Sequence, residues 1–407
     1  MKTVDDVVKG DLCHGCGACS FICPTNAIQM ENIYEHGFRP VIKENLCNKC
    51  MKCLDVCSGI SLEKKYQSDS KYCSKFTQDG WGPFTDVLEA WSSDDDEHYV
   101  GSSGGLCTAI GRYSIENGLS KGVLHIRPDP EAPLENLAVV SESSLEVQAA
   151  AGSRYAPASL CTGLKEVVEL GQPVVVVGKP CEIAAIKKIR RLDGEIDKNI
   201  ALTVSIFCGG TPSIKATEIL LAELGISTPN EVTDLRYRGH GWPGNFSVAT
   251  VGNTERCEMS YQRAWDTVLT KHKGFRCNMC PDSTGESADI SVGDAWNRET
   301  GNNFAGASLV LTRTDKGREF IEQMIQTGRL TASQATEEDL HDAQKGLLNR
   351  HRHVFVKVFW LRALGMAAPS FRGYPLLRNF LRLGLSRCLV SFWRTGKWFA
   401  SLKIRAK

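Results

Sequence analysis

Eight cysteines in two runs constrain this chain more than any other feature. They read Cys13-x2-Cys16-x2-Cys19-x3-Cys23-Pro24 and Cys47-x2-Cys50-x2-Cys53-x3-Cys57. Three closely stepped thiolates wrap three corners of an iron–sulfur cube. A fourth, after a longer step, sits too far round the turn to close the same cube and ligates the other one. The spacing therefore predicts one [4Fe–4S] cluster on Cys13, Cys16, Cys19 and Cys57, and a second on Cys47, Cys50, Cys53 and Cys23. Pro24 follows Cys23 as in other such runs, whereas Ser58 stands where a second proline is usual. Zinc favours two pairs of ligands per ion, which these evenly stepped runs do not offer. A disulfide framework needs an oxidising compartment, and no signal peptide precedes Cys13.

Seventeen cysteines without a secretory leader argue for a reducing, cytoplasmic setting. The net charge of +1 gives no reason to expect nucleic acid as a partner. That balance hides an asymmetry. Residues 351–407 hold 12 Lys or Arg and no Asp or Glu, leaving 36 basic against 47 acidic side chains in residues 1–350, a net of −11. No uninterrupted apolar stretch is long enough to span a bilayer.

The fold expected is an α+β ferredoxin-like N-terminal module over residues 1–60, then a linker over 61–83. An α/β domain with a largely parallel sheet follows over 84–350, and a helical basic amphipathic tail over 351–407. In the module, Ala27 to Met30 and Phe38 to Ile42 read as short strands. In the α/β domain, Ser102-Ser103-Gly104-Gly105 opens a helix from Leu106 to Glu116. Pro173 to Val177 is an apolar, β-branched run that suits a strand buried on both faces. It ends in Gly178-Lys179-Pro180-Cys181, and a helix follows to Arg191. Ile200 to Phe207 repeats the scheme, ending in Cys208-Gly209-Gly210 before a helix from Ser213 to Leu224. Strand, glycine turn and helix in succession imply parallel βαβ packing, with ligands beyond the carboxyl ends of the strands.

Cys181 and Cys208 both lie at such ends, and Cys277-x2-Cys280 is half a metal site. Together these four offer a ligand set for a third [4Fe–4S] cluster. Four separate thiols is the other reading. Cys73, Cys107, Cys161, Cys257 and Cys388 lack ligand spacing. Clusters carry one electron at a time, and a flavin converts that regime to the two-electron chemistry of an organic acceptor. The Ser102–Gly105 turn before a helix could cradle a diphosphate with backbone N–H groups, or be a plain flexible turn.

These motifs together resemble the coenzyme F-420 hydrogenase/dehydrogenase beta-subunit family, which also contains the plant 7-hydroxymethyl chlorophyll a reductase. The matching stretches are Gly101 to Gly105 with Thr108, Ser153-Arg154-Tyr155, Gly178 to Glu182, and Cys208 to Ser213. Further on are Tyr237-Arg238, Trp242-Pro243-Gly244, Arg276-Cys277 to Cys280 with Asp282, Ala288-Asp289, and Gly293 to Trp296. The resemblance implies FAD, a family [4Fe–4S] cluster, and electron exchange between iron–sulfur carriers and an organic acceptor. It would set Ser103, Gly104, Gly105 and Thr108 at the flavin phosphates or ribityl chain, Ser153, Arg154 and Tyr155 along the FAD, and Lys179 near the flavin ring. Asp294 would face that pocket or act as a structural turn residue. His240 is a candidate proton donor or a solvent-facing loop side chain.

The expectation is an FAD and iron–sulfur reductase. It would draw electrons from soluble ferredoxin or another low-potential donor and pass them to a deazaflavin-like or other organic two-electron acceptor. The alternative is a non-catalytic relay subunit of a larger redox complex. The tail, with Arg378, Arg382 and Lys397 among Phe380, Leu381, Leu383, Leu385, Phe392, Trp393, Trp398 and Phe399, either packs on the body or rests peripherally on the inner face of a membrane.

Overall fold

The computed structural model describes residues 1–64, 80–298 and 306–405, with side chains through Ser401. Cys73 and most of the expected linker fall outside these. The chain begins with a helix, Val4–Lys9, whose N-terminus is closed by a reciprocal cap between Thr3 and Asp6. It buries Val4 and Val7. Each cysteine run then enters a one-turn helix, Ala18–Phe21 or Lys52–Asp55, through a left-handed residue, Gly17 or Met51. Between the runs, β1 (Ile28–Ile33) and β2 (Gly37–Ile42) pair antiparallel, Ile28 facing Ile42. A short strand, β3 (Ser61–Glu63), ends the region.

The body is built on one eight-stranded sheet. In chain order its first strands are β4 (Asp86–Ser92), β5 (Gly122–Pro128), β6 (Asn136–Ser141), β7 (Val174–Gly178) and β8 (Ile200–Ile206). A separate three-stranded sheet follows, of β9 (Val232–Arg236), β10 (Asn245–Thr250) and β11 (Cys257–Ser260). The large sheet is completed by β12 (Ile290–Asp294), β13 (Ser308–Thr312) and β14 (Leu330–Gln334), in spatial order β14-β4-β13-β12-β8-β7-β5-β6. Only the middle is parallel: β5, β7, β8 and β12 run the same way. The flanking strands β6, β13, β4 and β14 are antiparallel to their neighbours. The sheet is therefore mixed rather than largely parallel. The β-branched runs that betray buried parallel strands mark its centre. Its margins are built from segments such as Asp86–Ser92, where polar and apolar residues mix.

Helices Leu106–Glu116, Pro180–Arg190 and Ile214–Glu223 follow glycine turns, as expected from the sequence. Beneath Pro180–Arg190, one apolar core takes in Ile183 and Ile186, Val174 and Val176 of β7, and Leu160. It also includes Ala18 and Val56 of the cysteine module. The module thus shares its core with the sheet. The ends of the expected linker are built in too. β3 pairs parallel with β15 (Ser370–Arg372), and Trp81 is wholly buried. The buried Arg313 guanidinium donates to the carbonyls of Trp81, Pro83 and Thr284.

The basic C-terminal region forms three helices, Val354–Ala363, Leu376–Leu381 and Leu385–Arg405. The last packs on the first, with Trp360 Nε1 donating to the Phe392 carbonyl at 2.9 Å. Gly396 lets the Trp360 ring come close, since a Cβ there would lie 2.6 Å from it. Phe399 is fully buried. Among the described residues no helix is long and apolar enough to cross a membrane.

Because Leu160 is fully buried where the module meets the sheet, Leu160→Ala is expected to cost about 2–5 kcal/mol of stability. Chemical denaturation of the intact chain, read as the shift in midpoint, checks this.

Candidate functional site

The thiols come together along the seam between module and sheet. A small cavity of about 20 Å³ is lined by Cys13, Cys16, Cys19 and Cys57, with Gly17, Ser58 and Gly59. Backbone N–H groups point at sulfur here, Gly15 N to Cys13 Sγ and Ala27 N to Cys23 Sγ, both at 3.3 Å. Burial pushes the Cys13 thiol up to about 12 and Cys19 well above the usual range. A thiolate there needs a counter-charge, which coordinated metal supplies. Burial raises the Cys53 thiol, and Cys50 and Cys23 act in the same sense. Cys161 meets Cys16 directly. Its N–H donates to the Cys16 carbonyl at 2.8 Å, and its buried thiol hydrogen-bonds the Cys16 sulfur and lowers it.

Cys181, Cys208, Cys277 and Cys280 lie on three separate segments yet sense one another electrostatically. Burial pushes Cys280 up to about 12. Arg276 is buried between this group and the module. Its Nε donates to the Gly59 carbonyl at 2.8 Å and its Nη1 to Met279 at 3.1 Å. Burial lowers its pKa, while Cys280, Cys277, Cys181 and Cys57 act in the opposite sense. Its Nη2 has no hydrogen-bond partner. An unpaired buried guanidinium amid thiols fits a neighbouring anionic group, such as a thiolate-held cluster. Among the described residues no three Cys, His, Asp or Glu side chains converge on a single ion position. The four thiolates of a cubane sit on four different irons and stand apart.

On the other side of Cys208, a cavity of about 230 Å³ opens at the carboxyl ends of β7, β8 and β12. Its lining includes Ser102, Ser103, Gly105, Thr108, Ser153, Arg154, Tyr155, Lys179, Cys208 and Asp294. The helix Leu106–Glu116 starts at this cavity with no side chain capping its first turn, so its amides are open to an anion. Lys179 Nζ pairs with Glu182 at 2.9 Å. Burial opposes its charge, but Glu182 and Cys181 outweigh that and raise its pKa. Asp294 is held by Arg238, at 2.6 and 2.9 Å, and by Trp242 Nε1 at 3.2 Å.

Against known proteins, residues 87–165 match the coenzyme F420 hydrogenase/dehydrogenase beta subunit N-terminal model, and residues 171–338 match its C-terminal model. The chain belongs to this family. Residues 12–58 match a 4Fe-4S dicluster domain, so the N-terminal region carries iron–sulfur clusters. Relatives include the coenzyme F420-dependent sulfite reductase of Methanocaldococcus jannaschii, 25% identical over 338 residues. That match covers 78% of this chain but only 46% of the reductase. The coenzyme F420 hydrogenase subunit beta of Methanococcus voltae is 25% identical over 296 residues, covering 71% of this chain and 99% of the relative. In fold, the chain resembles a chain of the F420-reducing [NiFe] hydrogenase complex from Methanosarcina barkeri. The TM-score is 0.56 at 21% identity, over 73% of this chain and 98% of that one.

The family motifs do not all serve the cavity. The Arg154 guanidinium is consumed by Asn136 Oδ1 and the carbonyls of Pro133, Glu135 and Leu235. The Ser103 hydroxyl is tied to Ser308 and the Ala307 carbonyl. Gly104 is absent from the lining; a Cβ there would meet Trp91 at 3.0 Å, so strand packing explains that glycine. His240 is exposed, stacks on Tyr99 and does not line the cavity. His125 does line it, one residue beyond the last parallel pair of β5 with β7, with Nε2 2.8 Å from Ser141 Oγ. Sequence reasoning passed over His125, although any polar residue near the end of a parallel strand was a candidate.

Burial, helped by Arg127, lowers His125 from 6.5 to about 4. Between those values the unfolded chain binds a proton that the folded one excludes. Stability should therefore fall as pH drops through that window, by about 3 kcal/mol for this group at the acid end. His125→Asn should lose stability less steeply over the same range, as measured by denaturation at stepped pH. His351, lowered by burial to about 3, keeps a residual slope in the variant.

Proposed function

We infer that this chain is the iron–sulfur electron-transfer component of a larger redox complex. Electrons would pass between the N-terminal clusters and a group in the cavity beside Cys208. The observation that carries this reading is the run of partly buried cysteines on both sides of Arg276. It runs from the Cys13, Cys16, Cys19 and Cys57 cavity past Arg276 to Cys181, Cys208, Cys277 and Cys280. Cys23, Cys47, Cys50 and Cys53 would hold the outer cluster. The relatives named as beta subunits of coenzyme F420 hydrogenase support a subunit role and a deazaflavin as the acceptor.

A second reading is favoured by the cavity itself: a flavin enzyme that reduces its acceptor unaided. The uncapped helix Leu106–Glu116, Ser102 and Ser153 could hold the phosphates of FAD, and Lys179 the pole of the ring that gains negative charge. When bound, a flavin supplies exchange between one-electron and two-electron carriers. Lys179 would then favour the anionic reduced form by charge. His125 would line the cavity wall as a neutral imidazole, oriented by its hydrogen bond to Ser141. A low-potential ferredoxin remains the natural donor under this reading.

The two readings part on the purified chain. Iron, acid-labile sulfide and flavin are measured on anaerobically prepared protein, and deazaflavin reduction is assayed with and without partner subunits. The relay reading expects about twelve irons per chain and turnover only in the complex. Unaided turnover with FAD bound overturns it in favour of the enzyme. Cys208→Ala is expected to leave about eight irons and to remove one cluster signal from the electron paramagnetic resonance spectrum. An unchanged iron count excludes the third cluster.

A further inference from the structure

The last helix, Leu385–Arg405, is only half used by the fold. Cys388, Phe392, Gly396 and Phe399 follow helical spacing and face the body, in contact with Phe380 or Trp360 or fully buried. One turn of the wheel away, Leu385, Leu389 and Trp393 recur at four-residue steps and are 82%, 72% and 61% exposed. Val390 beside them is half exposed. Folded chains rarely present a contiguous apolar ladder to water without a use for it. Beyond the ladder lie Arg387 and Arg394, seven residues apart on one face, both exposed. Lys397 spreads over the Trp393 ring with Nζ 3.6 Å from its centre.

We propose that this face lies in the headgroup region of an anionic lipid bilayer, with Leu385, Leu389, Val390 and Trp393 among the acyl chains and Arg387, Arg394 and Lys397 at the phosphates. Charge selects this occupant. The final 57 residues hold 12 cations and no carboxylate. Two copies meeting ladder to ladder would therefore bring arginines against arginines with no acid to pair them. A phosphate-rich surface neutralises all of them at once. The order of stripes is also that of an interfacial helix: apolar face, aromatic with a snorkelling lysine at its border, then arginines. The contact proposed is peripheral, and among the described residues no helix is long and apolar enough to cross. The inference does not depend on which reading of the cavity holds.

The test is co-sedimentation of the full chain with phosphatidylcholine vesicles, with and without phosphatidylglycerol. Binding is expected only to the anionic vesicles, and weaker at high salt. Arg387→Glu with Arg394→Glu should weaken it about tenfold or more. Leu389→Glu with Trp393→Glu should abolish it. Both pairs are on the exposed face, and unchanged iron content verifies folding. Equal binding to neutral vesicles, or none to anionic ones, overturns the proposal. So does a concentration-dependent dimer, formed without lipid, that Leu389→Glu dissolves; that result assigns the face to a second copy.

Discussion

The buried guanidinium of Arg276 is the interaction on which the rest of the arrangement depends. It holds the loop after Cys57 through the Gly59 carbonyl, braces its own loop through Met279, and lies 4.8 Å over the Phe371 ring. Three distant parts of the chain are thereby fixed around one charge. A buried cation without full pairing is costly, so its survival there requires negative charge close by. The surrounding thiols, Cys280, Cys277, Cys181 and Cys57, act in that sense. Structure and redox chemistry are thus coupled. The group that stabilises the seam also sets the electrostatic environment of whatever the cysteines hold.

The mixed sheet provides the second constraint. Its four central strands point their carboxyl ends to one edge, and the turns there carry Lys179, Cys181 and Cys208. The cavity and the thiol seam consequently share a wall, and Cys208 belongs to both. Electron exchange between a cluster and a bound organic group needs such closeness. Two antiparallel strands help build this edge: Ser308 of β13 hydrogen-bonds the Ser103 hydroxyl, and the Ser92 N–H of β4 donates to the Gly104 carbonyl. β4 supports the Ser102–Gly105 turn, as the contact that Gly104 would make with Trp91 demonstrates.

Much of this was legible beforehand because short-range chemistry dictates it. Cysteine spacing is a local property, and so is the sequence of β-branched run, glycine turn and helix. Helix starts at Leu106 and Pro180 were therefore readable to within a residue or two. Residues whose roles depend on distant partners were not. The resemblance sets Arg154 along the FAD, and it lines the cavity, but only the fold shows its guanidinium held by Asn136 and three backbone carbonyls. His240 sits in a glycine-rich loop beside family motifs, yet that loop carries it outward. His125 carries no motif at all, and only the register of β5 against β7 brings it to the cavity.

By itself the sequence determined the family, the iron–sulfur character of the N-terminal region and the polarity of the tail. Each follows from residue types at fixed short spacings. Only the tertiary structure decided that the module and sheet share one core, that the sheet is mixed, and that the last helix buries one apolar stripe and exposes another. The physical reason is the same in each case. Burial depends on what the rest of the chain brings alongside, and an apolar stripe carries no local mark of whether it will be covered.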